Sequence, residues 1–185
     1  MKGRLRLAVD VSVVAALAVV VTTAIAGGGN DIRERLTGYE EDPATVSTTG
    51  RGDFDARIDE SKEQIFYRLS YDDLEDVTQA HIHFGGRHQS GGISVWLCSN
   101  LASPPTPMGT QACPVSSGSV SGVITAADVV GPAGQGIAPG EFAELVDAMR
   151  AGVTYANVHT MAFPGGEIRA QLDRDSKHGR GGDKR

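Results

Sequence analysis

Apolar residues recur at every second position in seven short segments of this chain, and that period restricts the fold more than any other feature. Phe54, Ala56 and Ile58 alternate with Asp53, Asp55 and Arg57, and Ile65, Tyr67 and Leu69 with Phe66, Arg68 and Ser70. Ala80, Ile82 and Phe84 alternate with His81 and His83, and Ile93, Val95 and Leu97 with Ser94, Trp96 and Cys98. Val120–Ile124, Val153–Thr160 and Ile168–Leu172 continue the pattern. A residue and its second neighbour share one face of a strand, so each segment offers an apolar side to a core and a different side elsewhere. Many such strands separated by turn residues predict an all-β fold, an antiparallel Greek-key-like β-sandwich or barrel.

One segment has another period. Phe142, Leu145, Val146 and Met149 fall at i, i+3, i+4 and i+7 between Pro139 and Gly152, which predicts one short capping helix. Thr125–Val130 is expected to add a short helical turn, and Gly131–Gly136 a flexible loop.

The first 26 residues read as a signal peptide: Lys2, Arg4 and Arg6, then the apolar run Val11–Val21, then Ala24-Ile25-Ala26 as a cleavage site. The alternative is an uncleaved N-terminal anchor, against which the short run and Asp10 argue. Residues 27–35 read as a polar lead, residues 36–172 as the domain, and residues 173–185 as a disordered polar tail. A secreted or cell-surface location follows. Membrane contact is expected only through an uncleaved N-terminus. The formal net charge of −6 argues against nucleic acid, whose phosphates call for a basic patch. In an oxidising compartment Cys98 and Cys113 are expected to form a disulfide; they lack the C-x-x-C spacing of a redox or metal pair.

The polar sides of two segments could carry chemistry. His81 and His83, two apart, project together, and His159 is the third strand histidine; His88 follows in a Gly-rich loop. Tyr155 and Asn157 share the face of His159, and Glu167, Arg169 and Gln171 share that of the next strand, across the Phe163-Pro164-Gly165-Gly166 turn. Neutral imidazoles suit Cu or Zn, so His81, His83 and His159 form a candidate metal set with Asn157 or Glu167 to orient it. The economical reading is a polar network on one sheet face, with Glu167 and Arg169 as a pair that sets register. Arg51-Gly52-Asp53 spells an adhesion tripeptide but runs straight into a strand. No G-x-S-x-G elbow and no phosphate-binding loop with a Lys-Ser/Thr ending occurs.

These pieces together resemble the CHRD domain, a chordin-like domain of microbial exported proteins. The resemblance rests on Leu36-Thr37-Gly38 with Glu41 and Pro43, on the Gly52–Ile58 strand, and on Ala80-His81-Ile82-His83-Phe84-Gly85. Its strongest parts are Ala151–Thr160, with Tyr-x-Asn-Val-His-Thr, and Pro164–Leu172, with Gly-Glu-Ile-Arg-x-Gln. It implies an extracellular all-β module and carries no defined activity. The expectation is a non-catalytic binding or scaffold module for an extracellular protein or surface polymer, with no catalytic residue and no cofactor. The alternatives are a Cu or Zn protein built on His81, His83 and His159, or an enzyme using Glu167, Arg169 and His159.

Overall fold

The computed structural model describes residues 30–103 and 105–173. The expected signal peptide, the first part of the polar lead and nearly all of the expected tail lie outside those residues. Eight strands form one antiparallel sheet: β1 (Asp31–Thr37), β2 (Arg51–Asp59), β3 (Gln64–Asp72), β4 (Val77–Phe84), β5 (Gly92–Ser99), β6 (Gly118–Ile124), β7 (Thr154–Thr160) and β8 (Ile168–Gln171). Their order is β5-β4-β7-β8-β1-β2-β3-β6, so the chain crosses over between β3 and β4 and again between β6 and β7. The sheet curls into a nearly closed barrel.

β1 corrects the reading of residues 27–35 as a lead. Asp31–Thr37 pairs along its whole length with β2, and its two apolar residues, Ile32 and Leu36, are buried in the core. They lie four residues apart among charged neighbours, a pattern too sparse to register as alternation. The outward positions of β1, β2 and β3 place opposite charges side by side: Arg33, Asp55 and Arg68 lie in one row, and Arg35 faces Asp53 in the next. Such pairs are solvent-exposed and each contributes ~1 kcal/mol at most, but they fix strand register. Arg51-Gly52-Asp53 lies within β2, not on a loop tip.

The two edge strands, β5 and β6, come together at the ends of the sheet order, and a side chain closes the seam. The Gln111 amide nitrogen lies 3.1 Å from the Leu97 carbonyl of β5, 3.3 Å from the Ser121 carbonyl of β6 and 2.8 Å from the Tyr67 hydroxyl. The Cys98–Cys113 disulfide holds the loop carrying Gln111 against β5. Covering both edges removes the unpaired strand rows that invite aggregation.

The core fills the barrel with Phe54, Ile58, Ile65, Leu69, Ile82, Leu97, Val158 and Ile168 among others. The predicted helix is α1 (Phe142–Arg150), which buries Phe142, Leu145, Val146, Ala148 and Met149. It ends at Gly152, whose φ of +67° is the left-handed conformation that stops helices. A helical turn forms at Ala126–Asp128 as expected, and the loop at 131–136 contains another at Ala133–Gln135.

Candidate functional site

The outer face of β4, β7 and β8 is polar and nevertheless buried. Ala80 and Ile82, Ala156 and Val158, and Ile168 and Ala170 point into the core. Alternation therefore sends His81, His83, Tyr155, Asn157, His159, Glu167, Arg169 and Gln171 to the other side of the sheet. All eight are at most 8% exposed. Three loops roof this face: residues 38–50, residues 85–91 and the β7–β8 turn at 161–166.

The polar side chains hold the roof down. The Glu167 carboxylate accepts from Thr48 Oγ1 at 2.6 Å and from Thr160 Oγ1 at 2.7 Å, tying the first loop to the sheet. Arg169 donates to the Gly86 and Gln89 carbonyls at 3.1 and 3.0 Å, while its guanidinium carbon lies 3.5 Å above the Tyr155 ring. Tyr155 Oη accepts from the Gly91 amide at 3.1 Å. The Gln171 amide donates to Gly85, Gly152 and Thr154 carbonyls at 2.8–3.0 Å. The expected register pair of Glu167 with Arg169 is thus corrected: each residue is committed to a different loop instead of to the other.

Within this layer the three strand histidines come together. On paired β4 and β7, Gln79 faces His159, His81 faces Asn157 and His83 faces Tyr155, so His159 sits diagonally across from His81. The β4–β5 register shifts on either side of His81 and Ile82, and irregularities of this kind re-aim side chains. Ring centroids of His81 and His159 are 5.0 Å apart, those of His81 and His83 5.2 Å, and those of His83 and His159 6.1 Å. One nitrogen from each ring lies within 4.8 Å of the other two. Trp96 packs edge-on against His81 at 4.3 Å, and Tyr155 stacks parallel on His83 at 4.8 Å. His88 lies exposed in a left-handed turn and takes no part in the trio.

Backbone carbonyls define the ring protons. His83 Nδ1 lies 2.9 Å from the Gly91 carbonyl, and His159 Nδ1 lies 3.0 Å from the Pro164 carbonyl. A carbonyl only accepts, so both Nδ1 atoms carry hydrogen and both Nε2 atoms keep a lone pair. His81 Nδ1, 3.2 Å from His159 Nε2, then donates to it. Among the described residues, His81 Nε2 and His83 Nε2 are buried without a hydrogen bond of good geometry, although the Asn157 side chain acts on the His83 ring. Burial pushes the His83 imidazolium down to about 4, with the Gly91 carbonyl working against it. Burial first, and then the neighbouring His159 and His83, push His81 down to about 2. Burial lowers His159 as well. The trio is neutral at physiological pH.

Glu41 is a residue the sequence did not single out as chemical. It is 6% exposed, and burial pushes its carboxyl up to about 7 despite Arg169, which pulls it down. Among the described residues its Oε1 has no hydrogen-bond partner. Its place in the family resemblance and its position directly before Asp42-Pro43 were its sequence signals, and neither distinguishes it from a solvated side chain.

Neither a curated protein nor a solved structure matches this chain. A family model does, that of the CHRD domain, over residues 32–172. That span opens at the first buried residue of β1 and closes just beyond β8, and it takes in every strand and loop that builds the roofed face. This chain belongs to the CHRD domain family.

Proposed function

We propose that this CHRD module is exported and non-catalytic, and that it holds an extracytoplasmic protein or surface polymer on its loops. The observation that supports this most is the use made of the polar face. Glu167 and Arg169 have their polar groups committed to fixing loops, the Gln171 amide nitrogen helps to hold Gly85 and Gly152, and each residue is nearly inaccessible, so an acid–base role for them lacks a substrate approach. What the sheet presents outward instead is the roof itself, held rigid from below.

The roof carries contact chemistry. Tyr39 and Met161 are each 70% exposed, and Phe163 is exposed beside a cleft of about 410 Å3 lined by Pro43, Ala44, Ser90, Pro164 and Gly165. Aromatic and methionine side chains exposed on a pre-ordered loop bury much surface at little entropic cost, which suits recognition. Export is supported by the leader-like first 26 residues and by a disulfide, a bond typical of oxidising compartments.

The test is to produce the full chain with its own N-terminus and follow location, thiol state and binding to the native envelope fraction. The expected result is extracytoplasmic protein without free thiols, whose envelope binding drops at least ~10-fold in Phe163→Asp/Met161→Asp. Cytoplasmic protein with free thiols overturns export. Binding that the double variant leaves unchanged overturns the loop surface.

A further inference from the structure

We propose that His81, His83 and His159 form a mononuclear binding site for a late first-row transition-metal ion, with copper(II) preferred over zinc. This goes beyond the partner-holding role and does not depend on it, because the trio lies beneath the roof and the contact residues lie on top of it.

Three observations converge. The first is distance. Metal–imidazole bonds of ~2.0–2.1 Å place ligand nitrogens ~3.3–4 Å apart. One nitrogen of each ring already lies within 4.8 Å of the other two, so closing on an ion calls for only small ring movements.

The second is the state of the nitrogens. The Gly91 and Pro164 carbonyls fix the Nδ1–H tautomer of His83 and His159, leaving both Nε2 lone pairs directed away from those anchors. Ligating histidines are oriented by this kind of outer contact. His81 offers Nδ1, which faces His159 Nε2. On binding, the ion replaces the shared proton between these two atoms, and that proton passes to His81 Nε2, so the site takes up the cation without net proton release.

The third is an unmet cost. Buried polar atoms without partners are uncommon, because each forfeits the hydrogen bonds it had in water. Among the described residues His83 Nε2 makes no hydrogen bond of good geometry, on a ring clamped between the Gly91 carbonyl and the Tyr155 face, although the neighbouring Asn157 side chain acts on that ring. A metal ion at the trio would satisfy it.

The donor set selects the ion. Three neutral imidazoles, with no thiolate and no carboxylate in the set, suit copper, zinc and nickel, and do not suit calcium or magnesium. Among divalent ions at such a site copper(II) binds most tightly. Trp96 and Tyr155 wall two of the rings, which keeps water out and holds the geometry.

The experiment uses untagged, full-length, metal-stripped protein titrated with copper(II) and, separately, with zinc(II). Electron paramagnetic resonance of the copper form reads the ligand nitrogens directly, without any variant. The expected results are one copper per chain, superhyperfine coupling to three imidazole nitrogens, and weaker zinc binding. His83→Gln and His159→Gln should each lose at least ~100-fold in copper affinity, more than losing an outer contact costs, while His88→Ala keeps it. Circular dichroism checks that the variants are folded. Substoichiometric copper, a spectrum lacking imidazole coupling, or full affinity in folded His83→Gln would overturn the site. Zinc binding tighter than copper would overturn the preference.

Discussion

The Arg169 guanidinium carbon stands 3.5 Å above the centre of the Tyr155 ring, and the same guanidinium donates to the Gly86 and Gln89 carbonyls. One side chain therefore links β8, β7 and the 85–91 loop. It also places a positive charge in a layer that is closed to solvent, where it draws down the carboxyl of Glu41 against the effect of burial.

Arg169→Lys should destabilise the fold by ~2–3 kcal/mol in urea denaturation. A lysine keeps the charge but loses the planar fork that serves two carbonyls and the flat face that stacks on the ring. A change below ~0.5 kcal/mol would show that the bracing is not used.

Glu41 and the histidines should tilt the pH profile of the metal-free protein in opposite directions. Folded Glu41 keeps its proton up to about 7, whereas the unfolded chain releases it near its ordinary 4.5. Across that window the folded state binds more protons, so Glu41 makes stability fall as pH rises. The histidines are lowered, to about 4 for His83 and about 2 for His81, and the unfolded chain protonates near 6.5. Below 6.5 the unfolded state therefore binds more protons, and their contribution is lost as pH falls. Glu41→Gln should gain ~2–3 kcal/mol over the native protein between pH 4.5 and pH 8, and should steepen the loss on acidification. Parallel profiles for the two proteins would contradict the assignment.

Gly166→Ala should cost ~1–3 kcal/mol. The position has φ +130°, and an added Cβ would fall 2.6 and 2.7 Å from the Glu41 carboxylate oxygens and 2.8 Å from Asn157 Nδ2. Gly165, one residue earlier, has open space around it, so Gly165→Ala should change melting far less and serves as the comparison.

The Cys98–Cys113 bond closes a loop across a sequence separation of 15. Cys98→Ser/Cys113→Ser should lose ~3 kcal/mol in the chain-entropy model. A larger loss is expected at the β5–β6 seam if the Gln111 contacts loosen too, and Gln111→Ala in the oxidised protein separates the two effects.

Strands with full alternation were legible in the sequence because one face of each is apolar: β2, β3, β4, β5, β6, β7 and β8 all begin within a few residues of where the period places them. The helix was legible from Phe142, Leu145, Val146 and Met149 for the same reason. β1 was not, since only Ile32 and Leu36 mark its inner side. The eight polar residues of the β4–β7–β8 face were identified as sharing a face, but alternation ordinarily implies water on the polar side. Here loops far apart in sequence cover it, and nothing local in His81 or Arg169 announces a roof. Glu41 stayed hidden for the same reason, since its burial comes from a loop fold.

The roofed face is a closed polar layer with neutral histidines in defined tautomers. Long-range 15N–1H correlation spectroscopy of the metal-free, 15N-histidine-labelled protein measures this directly. At pH 7 it should show His83 and His159 neutral with the proton on Nδ1, and His83 should stay neutral down to about pH 5. Imidazolium signals from His83 at pH 6, or the proton on Nε2 of either His83 or His159, would contradict it.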